Sequence, residues 1–112
     1  LGTFFLENAI YNELMARGYK VTVEKKYNGE VDFVAGKNGK CCYIQVAYYL
    51  TQNKGPGEKK SAYEREYEAF DSLKDGRPRY VLSLDKIDSS HGGITHINIE
   101  DFLLHKTDFF VS

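Results

Sequence analysis

The sequence predicts an α/β domain, a mixed sheet with flanking helices in the order αβββαββα. Three observations carry this. Two apolar runs flank Asn38-Gly39, the pair best suited to a two-residue turn with positive φ. A helical pattern then separates that antiparallel meander from the next strand, which implies a crossover with helices on both sides of the sheet. Tyr80-Val81-Leu82-Ser83-Leu84 is a near-continuous apolar run, the pattern of a strand buried on both faces.

Thr3 to Arg17 reads as the first helix. Leu6, Ile10 and Leu14 recur at helical spacing, and Gly18 is a natural residue just past the end. Tyr19 to Glu24 alternates as a strand, with Tyr19, Val21 and Val23 on one side. Tyr27-Asn28-Gly29 turns the chain into Glu30–Ala35, and Asn38-Gly39 turns it into Cys42–Tyr48. Asn53 to Lys60 is a Gly/Pro/Lys loop. Ser61, with Glu64 three residues on, opens a second helix whose Tyr63, Tyr67 and Phe70 share a face, and Gly76 with Pro78 stops it. Tyr80–Leu84 and Ile94–Ile99 are strands. Asn98 with Asp101 can cap a short last helix, Phe102-Leu103-Leu104.

Counting outward from Asn38-Gly39 fixes the hairpin register. Ala35 faces Cys42, Phe33 faces Ile44 and Val31 faces Val46, so one side is wholly apolar. The other side pairs Val34 with Tyr43, Asp32 with Gln45 and Glu30 with Ala47. A slip of one residue would mix the two sets. A three-residue first turn keeps the apolar face continuous, with Val23 opposite Phe33 and Val21 opposite Ala35. It also sets Glu24 opposite Asp32, which crowds acids and favours a cation. A two-residue turn sets Lys25 there instead, as a salt bridge.

The length of 112 residues suits one domain, residues 1–112, with a single core supplied in part by nine Tyr and seven Phe. No apolar run approaches the roughly 18 residues of a membrane span, so no membrane partner is expected. A formal net charge of −1 gives no global pull toward nucleic acid, so any such role needs a local basic patch. Cys41 and Cys42 are adjacent on one strand, point to opposite faces and are poorly placed to bridge each other. A reducing cytoplasm is the simplest setting. The chain opens Leu-Gly, which suggests a domain excised from a longer protein.

Several residues invite chemistry. Glu7 shares the buried side of the first helix with Ile10, Tyr11 and Leu14, where a carboxylate needs a partner or an edge position that reaches water. Asp32 lies mid-strand, where Asp is depleted. Gln45 offers a carbonyl to a hard cation, or a plain structural hydrogen bond to Asp32. Lys54, Lys59 and Lys60 form a basic loop leading to Arg65, whose planar guanidinium suits phosphates and carboxylates. Such loops either solubilise or touch a phosphate backbone. His91, His96 and His105 show no metal-ligand spacing, so a zinc site is not expected.

The segments E-V-D-F-V-A, Y-I-Q-V-A-Y-Y-L, R-Y-V-L-S-L-D and I-T-H-I-N-I-E-D-F-L-L, with a leading helix that carries a Glu, resemble the uncharacterised C-terminal domain of bacterial and archaeal AAA-type ATPases. That family is similar to the PD-(D/E)XK, restriction-endonuclease-like superfamily. The resemblance implies that fold, and an N-terminal ATPase domain in the same chain as a partner. In active members a helix acid, a strand Asp and an acid-x-Lys pair bind magnesium and activate water. Glu7 matches the helix acid, Asp32 the strand Asp, and Gln45 the acid position, while Ala47 stands where the lysine belongs. The matches imply metal ligation by Asp32 and Gln45 and a magnesium cofactor only if the site is active. Without the lysine, the expected role is a remnant nuclease fold that binds DNA or protein, with Lys54, Lys59, Lys60 and Arg65 as the DNA contacts. The alternatives are a magnesium-dependent nuclease with Lys25 as displaced lysine, and a structural or self-associating module built on exposed aromatics such as Tyr48, Tyr49 or Phe109-Phe110.

Overall fold

The computed structural model describes residues 4–25, 31–47, 76–86, 90, 93–104 and 107–109. The expected helix from Ser61, the loop carrying Lys54, Lys59 and Lys60, and Arg65, Tyr48, Tyr49 and Phe110 lie outside these residues. Within them the order is α1 (Phe4–Ala16), β1 (Lys20–Lys25), β2 (Val31–Lys37), β3 (Lys40–Val46), β4 (Arg79–Ser83), β5 (Ile94–Asn98) and α2 (Ile99–Leu103). None of the described helices is long and apolar enough to cross a membrane.

The strands form one mixed sheet in the order β1-β2-β3-β4-β5. β1, β2 and β3 are an antiparallel meander, and β4 and β5 each run parallel to the strand before. The hairpin register is the one that Asn38-Gly39 dictates, with Ala35 opposite Cys42, Phe33 opposite Ile44 and Asp32 opposite Gln45. Asn38 and Gly39 sit at φ of 55° and 79°, the positive pair that a tight hairpin turn needs. The strands therefore run right up to the turn, through Lys37 and from Lys40, past the bounds read from apolar content. The turn before β2 lies outside the described residues, but the strand register is the one that a three-residue turn would set. Glu24 stands opposite Asp32, and Lys25 opposite Val31.

α1 ends as its sequence directs. Gly18 has φ of 91°. Its amide donates to Met15 O, and the Tyr19 amide donates to Leu14 O, both at 3.0 Å. That pair of bonds is the Schellman ending, and Leu14 and Tyr19 are both buried beside it. Ile10 and Leu14 bury fully against Phe33, Ala35, Cys42 and Ile44, with Leu82, Ile97 and Phe102 in the same cluster. Full burial of side chains this size contributes about 1.5–3 kcal/mol each. Phe109 is also buried, 4.6 Å from the Tyr80 ring and 5.1 Å from the Phe102 ring between centroids. It belongs to the core, not to an exposed aromatic patch.

Arg17 fastens this layer to the last described residues. Its Nε donates to Glu13 Oε2 at 2.8 Å, Nη1 to Thr107 O at 3.0 Å, and Nη2 to Phe102 O. Its guanidinium carbon lies 4.1 Å from the Phe102 ring centroid. Nη1 is also 3.3 Å from Asp108 Oδ1, which accepts from Tyr19 OH at 2.7 Å and from the Phe109 amide at 2.8 Å.

Candidate functional site

Register alone draws one line across the sheet. Glu24, Asp32, Gln45, Val81 and His96 stand opposite one another on successive strands. Strand spacing of about 4.8 Å sets the Gln45 and His96 backbones roughly 10 Å apart. The line is one step out of phase with Phe33, Ile44 and Tyr80, whose side of the sheet meets α1. Val81 and Ile94 are buried, yet neither belongs to the cluster under α1. The sheet thus has a second buried face, and the polar residues Gln45, Ser83 and His96 lie on it.

Gln45 is only 1% exposed. Burying an amide is costly unless it is hydrogen-bonded, so this position is built for a polar partner. Asp32 is its cross-strand neighbour, as the turn predicts. Glu24, exposed at the sheet edge, completes an acidic pair with Asp32 in the register. Lys25 is out of step with both. Ala47 follows β3, its amide donating to Leu82 O at 2.9 Å. Glu7 lies in the first turn of α1 and is partly exposed. It comes from the layer on the other side of the sheet from Gln45. The register therefore sets Asp32 between Glu24 and Gln45 on neighbouring strands, whereas Glu7 starts from the opposite layer.

Arg79 stands opposite Tyr43, two residues before Gln45 on the same face. Arg77 lies with its guanidinium carbon 5.7 Å from the Tyr43 ring centroid and its Nη1 3.4 Å from the hydroxyl. Two cations thus border the polar face near the described start of β4. Among the described residues, no group of three or more His, Cys, Asp or Glu is arranged to hold a metal ion. Cys42 is buried, and burial above all, with Cys41 and Asp108 adding to it, pushes its thiol up to about 12. It stays protonated near neutrality and is a core residue, not a nucleophile.

One polar cluster was missed in the sequence. Ser83 Oγ lies 2.9 Å from Asp85 Oδ2 and 2.7 Å from His96 Nε2, and it accepts from the Asp85 amide at 3.1 Å. All three residues are buried. Ser83 donates its one proton to Asp85 Oδ2, so toward His96 Nε2 it accepts. The hydroxyl thus stands between acid and imidazole. A hydrolytic triad has the imidazole in the middle, free to take the hydroxyl proton. This order and the full burial of Ser83 make the cluster a structural lock at the end of β4. Asn98 extends it, with Nδ2 donating to Asp85 O at 2.9 Å and Oδ1 accepting from the Asp101 amide at 3.0 Å, the expected cap of α2. The signal in the sequence was Ser83 inside an otherwise apolar strand.

The chain matches no known family model. It is similar to an uncharacterised protein of Haemophilus influenzae, 44% identical over 48 residues. That stretch is 43% of this chain and 12% of the relative's length, so most of the relative lies outside the match. No solved structure matches.

Proposed function

We propose that this domain is a remnant of a restriction-endonuclease-like fold, attached to a AAA-type ATPase, that binds DNA or a protein without cleaving DNA. The observation that carries the reading is the line Glu24–Asp32–Gln45, with Ala47 two residues beyond Gln45. An Asp across from a buried amide keeps the outline of a magnesium-binding pair. The position that would hold a charge to orient the attacking water and steady the phosphate holds a methyl group. In the register Lys25 stands opposite Val31, one step beyond the Glu24–Asp32 pair. The proposal draws its acids from Glu24 and Asp32 and leaves Glu7 out of the site. Arg77 and Arg79 beside Tyr43, together with Lys54, Lys59, Lys60 and Arg65, are the cations available to a phosphate backbone.

Two assays test it. The domain should leave duplex and single-stranded DNA intact with Mg²⁺ or Mn²⁺; cleavage that Asp32→Asn abolishes would show an active nuclease. Titration with duplex DNA at low salt should give weak binding with a log–log salt slope of about −3 to −4. The triple Lys54→Ala, Lys59→Ala, Lys60→Ala variant should lose that binding. Absence of DNA binding by the parent domain leaves protein as the ligand.

A further inference from the structure

Among the described residues β1 is one edge of the sheet, and Lys20, Thr22, Val23 and Glu24 are all exposed along it, Val23 at 49%. An open edge presents N–H and C=O groups ready to pair with another strand. The phase of those groups follows from the hairpin. Lys37 and Lys40 face each other across the two-residue turn and exchange the bonds that close it. Bonded and non-bonded pairs then alternate away from the turn. The Tyr43 amide fits this phase, since it donates away from β2, to Pro78 O at 2.9 Å. Asp32, Val34 and Gly36 therefore turn their backbone groups toward β1, where they meet Glu24, Thr22 and Lys20. The outward backbone groups of β1 are those of Val21, Val23 and Lys25.

The strand reads Lys20-Val21-Thr22-Val23-Glu24. Laid antiparallel on itself about Thr22, it is self-complementary. Lys20 meets Glu24 of the second copy, Val21 meets Val23, and Thr22 meets itself. Shifting by one residue sets Lys20 against Lys25 or Val23 and loses the match. In the matched register the outward groups of Val21 and Val23 exchange N–H···O bonds, and the two-fold axis repeats the exchange. Val23 gains an apolar neighbour, and threonines facing each other are a favourable cross-strand pair. Charge gives a further reason. Within one chain Glu24 stands opposite another acid, Asp32, and like charges directly opposite are destabilising. The second copy supplies Lys20 on the open side of Glu24.

We propose that β1 is a homodimer interface, in which a second copy of this chain adds its own β1 antiparallel about Thr22 and the two sheets become one. The contact is small, well below the roughly 1,200 Å² of stable interfaces, so the dimer is weak and dependent on concentration. Glu24 also stands in the line with Asp32 and Gln45, and association read as mass does not depend on what that face of the sheet binds.

Sedimentation of the whole chain over a concentration series at low ionic strength, where charge pairs are least screened, tests it. The parent should move from 12.8 kDa toward twice that mass as concentration rises. Lys20→Glu and Glu24→Lys should each stay monomeric, because each sets like charges across the axis. The double variant Lys20→Glu/Glu24→Lys restores opposite charges and should dimerise again. Both residues are exposed, so the fold should survive each change. A parent monomeric throughout, single variants that still dimerise, or a double variant that stays monomeric overturns the proposal.

Discussion

Ser83 Oγ has one donor and two acceptor positions, and all three are used by Asp85 and His96. Removing the hydroxyl takes one hydrogen-bonding partner from a buried carboxylate and one from a buried imidazole at once. Ser83→Ala should therefore cost about 2 kcal/mol in denaturant unfolding, in line with the loss of a buried hydrogen-bonding partner. Any DNA or protein binding should persist at temperatures where the variant is folded; its loss there would give the cluster a functional role. Arg17 shows the same logic with a cation. Its planar fork reaches two backbone carbonyls and a carboxylate while stacking on Phe102, a set of contacts that lysine does not reproduce. Sequence patterning hints at the first hub only through a serine in an apolar run, and at the second not at all. Ser83 and His96 are thirteen positions apart and Arg17 and Thr107 ninety, and no local periodicity encodes such pairs.

At the scale of elements, local rules did most of the work. Asn38-Gly39 set the turn, and the turn set every pairing of β2 with β3, because side-chain alternation allows no half-step. Gly39→Ala isolates that effect. An added Cβ would meet nothing within 4 Å, so the whole cost is the positive φ of 79°. A loss of about 1 kcal/mol is expected, measured by the urea midpoint with an unchanged m-value. A larger loss would mean that the turn is held by contacts beyond its own backbone. The sequence leaves the first turn open between two lengths, and the observed register is the one that matches Val23 with Phe33 and pairs Glu24 with Asp32. The layer of Glu7 was not legible. Helical periodicity tells which side of α1 is buried, but not which face of the sheet it meets.

For the molecule as a whole, Asp108 and Tyr19 set the pH window. Burial alone would raise the Asp108 carboxyl. The hydrogen bonds from Tyr19 and the Phe109 amide and the charge of Arg17 outweigh it and hold the group below its ordinary 3.8. A depressed acid contributes stability that is full above the unfolded value and is lost as pH falls through the folded one. Tyr19 moves the other way. Burial first, then its bond to Asp108, raises its hydroxyl above the ordinary 10.0, so its contribution is full below that value and is lost as pH climbs past it. Stability should therefore fall off below about pH 4 and again above about pH 10. Asp108→Asn should flatten the acid limb of a thermal-unfolding profile and leave the neutral plateau lower. An acid limb unchanged by the substitution would place its origin in other carboxylates.

The fastening of Arg17 to Thr107 and Asp108 also matters for how the chain is made. Synthesis runs from the amino end, so α1 and the β-meander leave the ribosome long before their clasp exists. Until residue 109 has emerged, the set around Arg17 and the Tyr19 hydroxyl is incomplete, and the place filled by Phe109 is open to water and to quality-control proteases. The domain closes only when its last described residues arrive. A nick or premature stop just after Leu104 would leave all five described strands present but remove Thr107, Asp108 and Phe109 from the clasp, and degradation would find such a product readily.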